Sequence, residues 1–301
     1  MSLKAQDIGE DDLIQRLLGK IPIVPTSLHT GPGDDCAVAP LDEDHWQLLK
    51  TDAIVESIHF FPTDEAKRVG WKAIARVVSD FAAMGGRPQW FLVTLGIPQS
   101  YSIEKLEQLY AGMGECLQSY GGSLCGGETT SIPAGGALMI SIAATGWVKK
   151  SQLTLRSTAA QDDVIFVTGH LGGSLAGRHL DVTPRLLEAE WLTSRSYPSA
   201  MMDLSDGLAR DLPRLAAASN LGYQLDLSSL PLHNGCSAAQ ALSDGEDYEL
   251  LFTVNPDRIA QLKQQWCLEF PDTPITRVGT IVRIDESMQL KGGWDHFAAE
   301  R

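Results

Sequence analysis

Residues 65–84 leave the chain little choice. Val69, Ala73, Ile74, Val77, Val78, Phe81 and Ala82 recur about every four positions, the spacing that puts apolar side chains on one face of a helix. Gly85-Gly86-Arg87-Pro88 then supplies a C-cap and a helix breaker. WFLVTLGIP (90–98) follows at once as an almost unbroken apolar strand. Such a unit must bury one helix face against a sheet. One residue does not belong there: Asp80 falls beside the apolar stripe, and a carboxylate is costly to bury unless it is paired or metal-bound.

The rest of the chain extends this pattern. Helices are expected at 9–19 and 103–120, and strands at 46–51, ending at Asp52, and at 137–148. The polar stretch 149–163 marks a boundary, giving domains 1–148 and 149–301. Beyond it, strands are expected at 164–168, 199–204, 223–227, 249–254 and 276–284. Helices are expected near 172–179 and at 207–219 and 256–267, with Pro213 in the first turn of its helix. Strands sometimes follow strands directly, so the class is α+β and not a simple doubly wound sheet.

The chain has 301 residues, ample for two domains. Its 24 basic against 38 acidic residues give a net charge of −14. That charge repels nucleic-acid phosphates. Phosphate can still bind such a protein where metal ions supply positive charge locally. The five cysteines form no Cys-x-x-Cys pair, which fits a reducing cytoplasm and argues against a disulfide framework and a thiolate zinc site. No apolar run suggests a signal peptide or a membrane span.

Acidic residues gather in short, glycine-flanked clusters. Gly33-Asp34-Asp35 reads as an exposed turn or as a bend that brings Asp35 to a metal. Thr51-Asp52 pairs hydroxyl and carboxylate, oxygen ligands suited to Mg²⁺ or to a cap. Asp203 and Asp206 flank Ser205 where a strand meets a helix N-terminus, a place for phosphate and Mg²⁺, though Asp206 could instead be an N-cap. Asp244-Gly245-Glu246-Asp247-Tyr248-Glu249 is either a solvated loop or part of a site. Gly126-Gly127-Glu128 permits close backbone approach, with Glu128 a possible ligand. Walker, protein-kinase and Gly-x-Ser-x-Gly signatures are absent.

In order, GPGDDCAV (31–38), TDAIVESIHF (51–60), GWKAIARVVSDFAAMGGRP (70–88), GGETT (126–130), TLRSTA (154–159), FVTGHLGGSLAG (166–177), DLSDGLARD (203–211), DGEDYELLF (244–252) and GWDHF (293–297) resemble the thiamine-monophosphate kinases. These belong to a superfamily with aminoimidazole ribonucleotide synthetase and selenophosphate synthetase. The resemblance implies ATP-dependent phosphorylation of thiamine monophosphate and a homodimer whose N-terminal mixed sheets meet in a barrel. It implies a sandwich-like C-terminal α/β domain as well. It implies several Mg²⁺ ions held by Asp35, Thr51, Asp52, Asp80, Glu128, Asp203 and Asp206. Tyr110, Gly127, Glu128, Arg156 and Ser205 would contact ATP; His59, Glu246 and Trp294 would contact thiamine phosphate. Lys50 stands where these kinases usually carry a second hydroxyl residue, and Glu128 where they usually carry Asp. Two other readings use the same residues: a relative acting on another small molecule, and a paralogue that binds nucleotide or thiamine phosphate without turnover.

Overall fold

In the computed structural model, residues 3–21 and 27–297 are described. The N-terminal half builds a five-stranded sheet from β1 (Ala37–Pro40), β2 (His45–Val55), β3 (Arg87–Pro98), β4 (Ser123–Ile132) and β5 (Met139–Lys149). Its order is β1-β2-β5-β3-β4, antiparallel except for the parallel β3–β4 pair. The sheet is open, with β1 and β4 at its edges. Helix α1 (Glu10–Leu18) precedes it. Helices α2 (Ala66–Ala83) and α3 (Ile103–Tyr120) pack together. A Cβ on Gly70 would lie 1.9 Å from the Leu109 carbonyl oxygen, so the two backbones touch and only glycine fits.

The C-terminal half forms a second, wholly antiparallel sheet, ordered β7-β9-β6-β10-β8. Its strands are β6 (Val164–Thr168), β7 (Pro198–Asp203), β8 (Gly222–Leu225), β9 (Leu250–Val254) and β10 (Ile275–Val282). Helices α4 (Leu186–Ser194), α5 (Leu208–Ala218), α6 (Ala238–Ser243) and α7 (Ile259–Glu269) cover it. Strand β6 is buried on both faces, which is why its residues 164–167 (VIFV) are all apolar and the buried Thr168 hydroxyl that ends it is hydrogen-bonded to Glu249. Val164 and Phe166 join a core shared with α2 and the first sheet, while Ile165 and Val167 join a second core with Leu208 and Leu212 of α5. The architecture is two mixed α+β domains.

Four local expectations are corrected. Strand β2 runs on to Val55, so Asp52 lies inside it and not at its end. Residues 123–132, expected to form no strand, form the edge strand β4. No helix forms at 172–179. Positive φ at Gly172, Gly173 and Gly177 leaves only the short 3₁₀ turns Ser174–Ala176 and Arg178–Leu180. Helix α5 begins at Leu208, which puts Pro213 beyond the first turn, where it forfeits the bond to the Ala209 carbonyl.

Candidate active site

Three carboxylates from three separate elements meet where the domains touch. Asp35 enters from the turn after Gly33, Asp80 from the last turn and a half of α2, and Asp203 from the end of β7. One oxygen of each lies within 4.8 Å of the others, and all three are buried. Burial pushes the Asp203 carboxyl up to about 6, helped by the charge of Asp35. Burial lifts Asp80 well above the usual carboxylate range, against the pull of Lys50. Crowded, dehydrated oxygen ligands of this kind are a donor set that fits a hard divalent cation.

Around this trio the protein supplies partners. Ser79 Oγ donates to Asp203 Oδ2 at 2.6 Å. Lys50 Nζ donates to Asp80 Oδ1 at 2.6 Å. Arg156 pairs with Asp35, and its backbone N–H donates to Asp34 Oδ2 at 3.1 Å. Asp34 is itself buried rather than an exposed turn residue, and burial raises it to about 7. Asp52 faces the same cleft beside Arg76, with Nε 3.0 Å from Oδ2. Burial opposes its charge, but Arg76 and Lys50 outweigh this and hold Asp52 below the ordinary range.

The start of α5 resolves the alternative for Asp206. Asp211 caps the turn, accepting from the N–H groups of Ser205 (3.1 Å) and Asp206 (2.9 Å). The Asp206 carboxylate is therefore not the cap; it pairs with Arg214 Nη1 at 2.5 Å.

Beside the carboxylates opens a cavity lined by His59, Arg76, Ser205, Asp206, Glu246 and Trp294, with Ile58, Phe61, Leu175 and His296 as further walls. Val55 N–H donates to His59 Nδ1 at 3.1 Å, so neutral His59 carries its proton on Nε2. Burial, then Arg76 and Lys72, pull its imidazole down to about 3 and keep it neutral. Glu246 pairs with the fully buried Lys72, which also donates to the His59 carbonyl at 2.6 Å. Gly245, Glu246 and Tyr248 all have positive φ, a costly backbone for non-glycine residues. Bonds from Glu246 N to Ser205 O (2.7 Å) and Tyr248 N to Leu204 O (2.8 Å) pin that loop against the end of β7. Its other acids serve structure: Asp244 and Asp247 accept from Gly173 and Gly172, and Glu249 pairs with Arg185. The Trp294 backbone N–H donates to Asp206 O at 2.7 Å, tying the C-terminal segment to the cleft.

Other expected residues lie elsewhere. Thr51 points to the opposite face of β2 from Lys50 and Asp52, since side chains alternate along a strand. Glu128 is exposed on the edge strand β4. Gly127 is required by packing, because a Cβ there would stand 1.9 Å from Val93 O. Tyr110 lies on the solvent side of α3, 38% exposed.

Lys72, Arg76, Asp211 and His296 were not singled out by sequence. The first two had a signal: with Ser79-Asp80, Lys72 and Arg76 recur at helical spacing, as a polar stripe beside the apolar one.

Comparison with known proteins fits this arrangement. The AIR synthase related protein N-terminal domain matches residues 33–148, and its C-terminal domain matches 179–282. A thiamine-monophosphate kinase of Rhodopirellula baltica is 36% identical over 91% of this chain and 89% of its own. That of Bacillus subtilis is 31% identical over 96% of this chain and all of its own. The chain belongs to the thiamine-monophosphate kinase family. The structure of AaThiL complexed with AMPPCP and TMP superposes with a TM-score of 0.82 at 28% identity, covering 98% of this chain and 99% of that one. Thiamine monophosphate kinase from Aquifex aeolicus gives 0.76 at 28% identity, over 93% and 96%. Among the described residues no helix is long and apolar enough to cross a membrane.

Proposed function

We propose that this chain transfers the γ-phosphoryl group of ATP to the phosphate of thiamine monophosphate, giving thiamine diphosphate and ADP. One observation carries the reading: the buried Asp35–Asp80–Asp203 cluster adjoins a cavity walled by His59, Glu246 and Trp294, in a chain whose relatives are kinases of this substrate.

The chemistry needs positioning and charge neutralisation more than a covalent or basic residue. The acceptor phosphate is already largely ionised near neutral pH, so no general base is required. Asp35, Asp80 and Asp203, with Asp52 and Asp206 at their flanks, would hold Mg²⁺, which when bound neutralises phosphate charge. Neutral His59 offers its Nε2–H to a substrate oxygen. Glu246, held by Lys72, presents a fixed carboxylate to the cationic thiamine. The Trp294 indole would stack on the thiazolium. Arg156 and Ser205 stand where a nucleotide would meet the carboxylates. Gly127, Glu128 and Tyr110 are assigned to ATP, and Thr51 and Glu128 to metal, by resemblance.

The same reading includes a homodimer. Leu49, Trp90 and Leu92 are exposed on the sheet face turned away from the core. Two such apolar faces meeting across a twofold axis would close the open sheets into a barrel. The domains would then be 1–148 and 149–301. A cytoplasmic location agrees with five free cysteines.

The test is a product assay. Purified protein with ATP, Mg²⁺ and thiamine monophosphate should yield thiamine diphosphate, and thiamine or other small phosphates should yield far less product. Binding of both substrates without product would leave a non-catalytic paralogue as the better reading.

A further inference from the structure

Four of the five aspartates assigned to metal already have a cation of the protein beside them. Asp35 pairs with Arg156, Asp52 with Arg76, Asp80 with Lys50 and Asp206 with Arg214. Asp203 takes a hydroxyl hydrogen bond instead. The pairs are not equivalent. Arg214 lies toward the rim and is shared with Asp11 at 2.9 Å. Arg156 comes from the short 3₁₀ turn Arg156–Thr158, in the segment between the two sheets.

Lys50 and Arg76 belong to the floor of the cleft. They rise from β2 and α2, the two elements that also carry Asp52 and Asp80. The Lys50 side chain is 21% exposed, with Nζ 2.6 Å from Asp80 Oδ1. Arg76 is 12% exposed; its Nε is 3.0 Å from Asp52 Oδ2 and its Nη1 4.0 Å from Glu246 Oε1. Nε and Nη1 are buried without a well-aligned hydrogen-bond acceptor. An ammonium or guanidinium on a carboxylate oxygen takes the lone pairs that a divalent ion needs. A metal ion on that same oxygen would sit within about 4 Å of the protein's charge, where like charges repel strongly.

We propose that Lys50 and Arg76 are built-in cations of the phosphoryl-transfer site, each occupying a carboxylate oxygen, Oδ1 of Asp80 and Oδ2 of Asp52, that would otherwise take a divalent ion. Metal enters at the Asp35–Asp80–Asp203 corner, taking the second Asp80 oxygen, Oδ2, because Lys50 occupies Oδ1, and the two side chains neutralise the remainder of the floor. The loaded protein therefore carries fewer ions than its acidic corners could accept. Arg76 also lines the cavity that takes the acceptor phosphate, a group guanidinium binds well. This inference rests on the metal-dependent kinase reading above.

The experiment counts ions. Mn²⁺ bound by the full chain in the presence of a non-hydrolysable ATP analogue is titrated by electron paramagnetic resonance. Lys50→Met and Arg76→Met each remove a charge while keeping a long apolar side chain; Lys50→Arg keeps the charge. Each Met variant should bind about one more ion per chain than the wild type, and Lys50→Arg should match the wild type. Circular dichroism confirms folding. If Lys50→Met does not fold, Lys50→Thr is counted in its place. An unchanged or lower count in folded charge-removed variants, with the wild type still binding Mn²⁺, overturns the inference and leaves the kinase reading standing. No bound Mn²⁺ in any protein overturns both.

Discussion

The Ser79 hydroxyl of α2 donates to the Asp203 carboxylate of β7 at 2.6 Å, a buried bond that joins the two domains at the centre of the acidic cluster. It fixes one carboxylate that, among the described residues, makes no ion pair with a protein cation. Ser79→Ala should destabilise the protein by about 1–3 kcal/mol, the cost of leaving a buried acceptor short of its donor. Urea unfolding measures this. An unchanged midpoint would mean that the bond does not hold Asp203 in place.

Lys72 and Glu246 make a second, harsher prediction. Lys72 is wholly buried, and Glu246 is the acid that balances it. Glu246→Ala should therefore cost about 3–5 kcal/mol, because it strands a buried ammonium. Adding Lys72→Met to that variant should recover most of the loss. A double variant as unstable as Glu246→Ala alone would contradict the pairing.

Trp294 should matter to one substrate only. If its indole stacks on the thiazolium, the lost contact is worth about 0.5–2 kcal/mol. Trp294→Leu should then raise KM for thiamine monophosphate roughly 2- to 30-fold and leave KM for ATP near the wild-type value. Equal rises for both substrates would place the residue at a general closure step and not at the thiamine rings.

His59 gives a pH signature. Its imidazole is pulled down to about 3 in the fold by burial and by Arg76 and Lys72, whereas the unfolded chain titrates near about 6.5. Between these values the unfolded state binds a proton that the folded state refuses. Stability from this group is therefore lost as pH falls from about 6.5 toward about 3. In His59→Asn that loss is gone, so the variant should gain on the wild type between about pH 7 and about pH 5 in thermal unfolding. A stability gap that stays constant with pH would show that His59 is not held neutral.

Much of the fold was legible because helices announce themselves locally. Helix α3 has its N-cap at Ser102, whose side chain accepts from Lys105 N, and Gly121 at its end. Strand β2 was cut short because Lys50 and Asp52 occupy inward positions that normally carry apolar side chains, so the alternation looks finished at the point where the site begins. Strand β4 was hidden for a different reason. Its residues are almost all exposed, and it owes its existence to pairing with β3, which no local pattern records. The carboxylates could be read from their glycine-flanked motifs. Of the cations at the site, Lys50, beside Thr51-Asp52, and Arg156, within TLRSTA, could be read with those motifs, but Lys72 and Arg76 look like the solvated face of an amphipathic helix until the second domain covers that face.

The most direct measurement uses ATP radiolabelled at its γ-phosphate. With Mg²⁺ and thiamine monophosphate, the label should appear in the terminal phosphate of thiamine diphosphate, and chelating the metal or changing Asp203→Asn should abolish the transfer. Label that stays in ATP or passes only to water, while thiamine monophosphate binds, would contradict the account.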